Sequence, residues 1–455
     1  MKKRIVCSGM SMVMALSLLT GCGSNKQNSS AVESLSSGNG GKVLNIYCFD
    51  DSFKDLVEDY YIPTGRLPDD VKLNWITVPN ADNAYQNSLD EALLKQSEVP
   101  ADERIDMFIV EADYALKYAQ SNTTLDVKKD LGFTDDQLSQ MYDYTKQIVT
   151  TDDGSIKGLS AFASPGLFTY RRSIAKAVLG TDDPVKVQEC LNSWEKFNDV
   201  AEKAKEKGYK MLSGYSDSYR VFSNNVSGSW VKDNKIQIDE NIKEWIKQTK
   251  EYTDKGYNNK HALWSDGWTA DQGSSGDVFG FFLPPWGINF TLVANSLDKA
   301  VADGGKEEVG NGIFGDYAVC QGPESWFWGG SWYCTANGTD NINEIRDLLS
   351  FFCCEKESMK KMATETIDFS NNKEAMQEVA NSDYTSAFLG GQNPYGDFCE
   401  SAENIDMKYT SIYDQGLNDG IGKAMGDYFD GNVDYDTALD NFYKIAQEKY
   451  PELEK

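Results

Sequence analysis

The sequence predicts an α/β protein with parallel strands and helices packed on both sheet faces. Three observations carry this. Residues 43–120 alternate strand, helix, strand, helix, strand; the chain beyond them is long enough for a second body of similar kind; and its strand candidates are continuous apolar runs. Val43-Leu44-Asn45-Ile46-Tyr47-Cys48 reads as a buried strand leading into Phe49-Asp50-Asp51-Ser52 and a helical pattern through Phe53, Leu56, Val57 and Tyr60. Residues 71–78 alternate as a second strand, and Tyr85, Leu89, Leu93 and Leu94 mark one face of a helix over 83–96. Residues 105–110 form a third strand, closed by Glu111-Ala112-Asp113 before a helix from Tyr114 to Gln120.

In parallel sheets ligands gather beyond the carboxyl ends of the strands, which is where Asp50, Asp51 and Asp113 fall. Aspartate is also a favoured helix N-cap, so each has a purely structural alternative. The second body follows the turn Asp152-Asp153-Gly154. It shows a helix at Trp194, Phe197, Val200, Ala201 and Ala204 capped by Ser193, a strand with its exit loop over 211–219, and a helix at Ile242, Trp245, Ile246 and Tyr252. Rings then crowd the chain: Trp264, Trp268, Phe279, Phe281, Phe282 and Trp286, then Trp326, Phe327, Trp328, Trp332 and Tyr333. The interleaved glycines of Trp328-Gly329-Gly330-Ser331-Trp332 permit close backbone approach. Further helices span 342–352 and lie near Ala438, Leu439, Phe442, Ile445 and Ala446.

The amino terminus sets the compartment. Lys2, Lys3 and Arg4 precede an apolar run over 5–20 that is too short for a transmembrane helix, which reads as an export signal over 1–21. Leu19-Thr20-Gly21-Cys22 resembles a bacterial lipobox, making Cys22 the lipidated first residue of the mature chain. A Gly/Ser/Asn-rich stretch, 22–42, reads as a flexible linker. The net charge is −27, and loss of a leader with three cations and no acid lowers it by three. Such a surface argues against nucleic acid and anionic lipid and suits neutral or cationic solutes. Seven cysteines remain beyond Cys7 and Cys22, an odd number, several inside apolar runs where free thiols are expected. His261 is the sole histidine, so a multi-histidine metal site is excluded and a histidine triad could form only there. Residues 427–436 fail as a calcium loop because Tyr435 occupies the required glycine position. No metal or cofactor is expected.

Five features in order resemble the extracellular solute-binding proteins of carbohydrate ABC importers, in the maltose-binding group. They are the opening strand with its acidic exit Asp50-Asp51, the strand 106–110 with Asp113 before Tyr118-Ala119-Gln120-Ser121, and Leu167-Phe168-Thr169-Tyr170; then the strand 280–286 closing in Pro285-Trp286, and Phe429-Asp430-Gly431 with Thr437-Ala438-Leu439. The resemblance implies a periplasmic-binding-protein-like fold of two hinged lobes, each a mostly parallel sheet flanked by helices. Lobe one would comprise 43–163 plus 331–372, and lobe two 164–330 plus 373–455. It implies a carbohydrate ligand held between the lobes, membrane permease subunits as partners, and a monomeric, non-catalytic protein anchored through its lipid to the extracytoplasmic face of the cell membrane. Its ligand positions match Asp51 and Asp113, with Asp50 beside them, and Trp286, Tyr219 and Tyr413; the crossing segment at Gly329-Gly330 adds Ser331 and Trp332. Arg171-Arg172 departs from the usual Asn-Lys and opens the cleft to a guanidinium, while Glu111 adds an acid of unassigned direction.

The chemistry is consistent with this. A pyranose offers apolar C–H faces to flat rings and a rim of hydroxyls to carboxylates. Two other readings stay open: the same fold binding a peptide, polyamine or other non-sugar solute, and a tethered glycoside hydrolase using paired carboxylates.

Overall fold

Two four-stranded sheets organise the computed structural model, which describes residues 35–455; the export signal, Cys22 and the first part of the linker lie outside the described residues. In chain order the strands are β1 (Val43–Cys48), β2 (Lys72–Thr77), β3 (Met107–Glu111), β4 (Pro165–Arg171), the short hairpin β5 (Val231–Lys232) and β6 (Lys235–Ile236), β7 (Gly280–Leu283), β8 (Tyr317–Cys320), β9 (Trp326–Phe327) and β10 (Ser331–Thr335). The first sheet runs β10-β3-β1-β2; the pairs β1–β2 and β1–β3 are parallel, and β10 is an antiparallel edge with Ser331 opposite Glu111. The second runs β7-β4-β8, with β9 on the start of β4.

Burial on both faces explains the continuous apolar runs. Met107 and Ile109 of β3 join one hydrophobic cluster with Leu44, Ile46, Phe53, Val57, Tyr61 and Phe352, while Phe108 and Val110 point the other way, to Tyr85, Leu89 and Leu93. That second cluster also receives Leu167, Phe281, Leu283, Tyr317 and Val319, so a single core takes side chains from one face of each sheet. Phe168, Tyr170, Phe282 and Cys320 pack on the opposite face of the second sheet against the helix Trp194–Glu206. A fourth core joins the helices Glu240–Lys255, Asp414–Phe429 and Tyr435–Lys449.

Helix starts follow their local chemistry. The Ser193 hydroxyl accepts the Lys196 amide and Asp434 accepts that of Thr437. The last linker residues are tied down: the Gly38 and Gly41 amides donate to the Thr339 and Asp340 carbonyls. Among the described residues no helix is long and apolar enough to cross a membrane.

Two expectations fail. The second sheet is antiparallel, because β7 and β8 both oppose the central β4; strands buried on both faces read alike whichever way they run. Residues 211–219 form no strand. Lys210 and Leu212 make isolated parallel bridges to Val278 and Asn258, and Tyr219 begins a helix ending at Asn224.

Asp106 links the first sheet to its closing segment. Fully buried, it accepts the Asn45 amide at 2.7 Å, the Asn341 side-chain amide at 3.0 Å and the Thr339 hydroxyl. Burial pushes its carboxyl up to about 6 despite these donors. Asp106→Ala leaves the Asn45 amide and the Thr339 hydroxyl without their buried acceptor and is expected to destabilise the fold by about 3 kcal/mol in urea unfolding; a loss below about 0.5 kcal/mol would contradict this role.

Candidate functional site

The carboxyl end of the first sheet meets a helix from beyond β4 through an ion pair. Both terminal nitrogens of Arg220, in the helix Tyr219–Asn224, donate at 2.6 Å to the two carboxylate oxygens of Asp113, at the start of the helix Ala112–Ala119. The two residues stand 107 apart in sequence, and their side chains are about 24% and 33% exposed. Burial works against both charges, but the pairing prevails: Asp113 is lowered and Arg220 raised.

Arg220 also lines a cavity of about 290 Å³ with Asp217, Trp268, Trp328, Asn418 and Asp419, near the lower end of the volumes of small-molecule sites, about 300–1,000 Å³. Asp217 shapes one wall by accepting the Ser213 and Gly214 amides at 2.7 and 2.8 Å and the Trp268 indole N–H at 3.1 Å. The Tyr219 hydroxyl and the Trp230 indole both donate to Asn418.

Trp328 connects this cavity to an aromatic cluster. Its ring lies 5.8 Å from that of Trp264 and 5.1 Å from that of Trp286, and Phe290 lies 6.2 Å from Trp264. The Trp286 indole N–H donates to the Trp328 carbonyl at 2.9 Å. Gly329, at φ +69°, makes this possible, since a Cβ there would stand 3.1 Å from the Trp286 ring. Trp264 and Phe290 remain 48% and 60% exposed, a costly arrangement for large rings in water and a common mark of a binding surface.

The expected site residues divide. Asp113 and Trp286 belong to this region. Asp50 shares its electrostatics with Glu111, and Ser331 sits in register with Glu111. Asp51 is turned to β2, its carboxylate accepting the Thr77 hydroxyl at 2.9 Å. Tyr219 reaches the cavity wall but is spent on Asn418. Trp332 is a correction: it is 1% exposed, and its indole donates to the Thr145 carbonyl at 2.8 Å, because β10 is covered on both faces. Tyr413 is another, lining a separate groove of about 540 Å³ with Leu116, Gln147 and Met407. The expected guanidinium is present, but it is Arg220. Arg171 is buried and donates to the Gly276 carbonyl at 2.8 Å.

Sequence reading left Glu111, Arg220, Trp264 and Trp328 out of the site. Glu111 lies half-buried, accepts from Asn80 at 3.2 Å, and is pushed up to about 7 by burial and by the charge of Asp113. His261 pairs with Asp271 at 2.8 Å, but Ser213 donates to that same carboxylate oxygen rather than to the imidazole, so no nucleophile–base relay forms. Among the described residues no cluster of three or more metal-ligating side chains occurs, and all seven cysteines are free thiols.

Residues 69–387 match the family of bacterial extracellular solute-binding proteins. No curated protein matches the chain. Among solved structures, an extracellular solute-binding protein of family 1 superposes with a TM-score of 0.72 at 18% identity, covering 89% of this chain and 99% of its own. The ABC-transporter-associated binding protein from B. animalis subsp. lactis Bl-04, in complex with β-1,6-galactobiose, gives 0.65 at 17% identity over 91% and 100%. The galacto-N-biose/lacto-N-biose I-binding protein from Bifidobacterium longum gives 0.64 at 13% over 92% and 98%.

Glu111 and Asp414 are both raised to about 7, the second by burial that its Ser411 partner only partly offsets. A carboxyl raised on folding binds its proton more tightly in the native state, so its contribution is present below the unfolded value and lost as pH rises through about 7. The melting temperature is expected to be higher at pH 5.5 than at pH 7.5, and Glu111→Gln should flatten that slope. A slope of opposite sign would contradict the burial of these acids.

Proposed function

The chain belongs to the bacterial extracellular solute-binding proteins, and on that premise we propose that it captures a sugar or oligosaccharide between its two halves and delivers it to an ABC importer. The observation that carries this is the partly exposed indole wall of Trp264, Trp286 and Trp328, joined through Trp328 to the cavity that Arg220, the partner of Asp113, also lines. Flat rings cover the apolar C–H face of a pyranose, and the carboxylates beside them accept its hydroxyls. Trp264, Trp286, Trp328 and Asp113 are the contacts we assign, with Asp50, Glu111 and Ser331 at the edge.

In this reading the two halves close on the solute by a hinge motion, and the protein works as a monomer without chemistry on its cargo. The lipobox-like Leu19-Thr20-Gly21-Cys22 supports an anchor at Cys22 that keeps the protein beside permease subunits on the extracytoplasmic face. The neighbours bound to β-1,6-galactobiose and lacto-N-biose favour a sugar as cargo over a peptide.

Thermal shift against a carbohydrate panel tests the function, since a sugar at about 100 times its Kd should stabilise by roughly 2.7 kcal/mol. For the sugar that responds, Trp264→Ala and Trp286→Ala are each expected to weaken binding at least tenfold, about 1.4 kcal/mol, with the far-UV circular dichroism unchanged. Unaltered affinity in calorimetry rejects the indole wall, and new reducing ends on incubation reject a pure binder.

A further inference from the structure

One amide in the cavity wall has its polarity locked. Asn418, in the helix Asp414–Phe429, lines the cavity and is half-buried. Its Oδ1 accepts the Tyr219 hydroxyl and, at 3.0 Å, the Trp230 indole N–H. An indole nitrogen can only donate, so the atom it meets must be the amide oxygen; a flipped Asn418 would set N–H against N–H. Both anchors are buried and belong to the core built around Trp245, Leu417 and Phe429. The Nδ2 end of Asn418, a pure donor, is left over, and among the described residues no protein group accepts from it.

The rest of the cavity decides which acceptor fits. A sugar hydroxyl can swing its proton and is served by either end of an amide, so fixing the end selects for an oxygen that accepts only, in a carbonyl or a carboxylate. Charge separates these two. Both terminal nitrogens of Arg220 are taken by Asp113. Asp217 adds a carboxylate that already holds three N–H groups, and at the rim Asp419 offsets Lys423. An incoming carboxylate therefore finds no surplus of positive charge, whereas a neutral carbonyl meets no opposition. Leu263, Phe282, Leu283 and Trp328 of the same cavity suit a small apolar group beside that carbonyl.

We propose that Asn418 is the specificity-determining donor of this site and that the solute is a neutral acetamido sugar, its carbonyl oxygen accepting from Asn418 Nδ2 while its ring lies on the indoles of Trp328 and Trp264. This rests on the carbohydrate reading and narrows it to one substituent. An acetamido group brings the two features the cavity asks for, an oxygen that cannot donate and a methyl that can be buried against rings. Tyr219 and Trp230 act as positioning residues, since they hold the amide in the one orientation that presents a donor.

Calorimetry on the intact chain tests this with matched probes: N-acetylglucosamine, N-acetylgalactosamine and the β-1,4-linked dimer of N-acetylglucosamine, each against its hydroxyl counterpart, with glucuronic acid as the carboxylate probe. At least one acetamido sugar is expected to bind about tenfold or more tightly than its hydroxyl partner, with no preference for the carboxylate. Asn418→Asp keeps an oxygen for Tyr219 and Trp230 and puts a second oxygen where the N–H group stood. It should weaken the acetamido sugar at least about tenfold, and the hydroxyl sugar, which can donate to the new oxygen, less than about threefold. Equal affinity of the unaltered chain for acetamido and hydroxyl forms overturns the proposal, whether or not the variant folds, and leaves carbohydrate capture standing. Preference for glucuronic acid overturns the neutral class. Equal loss for both sugars in a folded Asn418→Asp overturns the selective role of Asn418. Failure of every acetamido sugar to bind overturns the proposal, and the response to the neutral sugars then decides the carbohydrate reading separately.

Discussion

The bidentate contact between Arg220 and Asp113 is the interaction on which the functional arrangement depends. Asp113 lies in the first turn of the helix that leaves β3, and Arg220 lies in a short helix packed on the helix Glu240–Lys255 and on β9. Their fork joins the acidic end of the first sheet to the wall of the cavity. It also keeps Asp113 ionised among other acids that are pushed toward neutrality. Removing one partner would strand the other in a partly desolvated place, which costs far more than the pair itself contributes.

Around that contact the scaffold does different work in different places. The core shared by one face of each sheet is filled by aromatic and branched side chains, which gives the frame its stability. At the edge of the frame the economy reverses. Trp264 and Phe290 stay half in water, and Gly329 gives up a side chain so that Trp286 can lie against the backbone and hold Trp328. Exposed apolar rings near partly buried acids are unfavourable for stability alone, and in the proposed reading both are answered by a solute with a flat apolar face and polar donors at its rim.

Much of this was legible in the sequence. The strand and helix alternation of residues 43–120 revealed three strands and their parallel direction, since parallel neighbours covered on both faces leave a strong apolar signal. Ser193 was readable as a helix cap, whereas Asp113 lies one residue inside a helix that starts at Ala112; Pro285-Trp286 and Gly329-Gly330 marked the aromatic region. What was hidden depends on pairing across the chain. Arg220 gains its role only from a partner 107 residues away. Trp332 and Trp328 look alike in sequence, yet one is a β10 side chain sealed in the core and the other lines the cavity. Strand direction in the second sheet left no trace, because β4, β7 and β8 are buried throughout. Glu111 was visible as an acid, but its direction is set by the register of β3 with β10.

Hydrogen–deuterium exchange on the full chain, with and without a sugar that raises its melting temperature, tests most directly whether this cleft holds the solute. Protection is expected to concentrate in residues 111–118, 219–224, 263–268 and 326–331, the segments that carry the ion pair and the indoles. Protection centred instead on the Tyr413 groove, or on the lysine-bearing helix Glu240–Lys255, with these four segments unchanged, would contradict it.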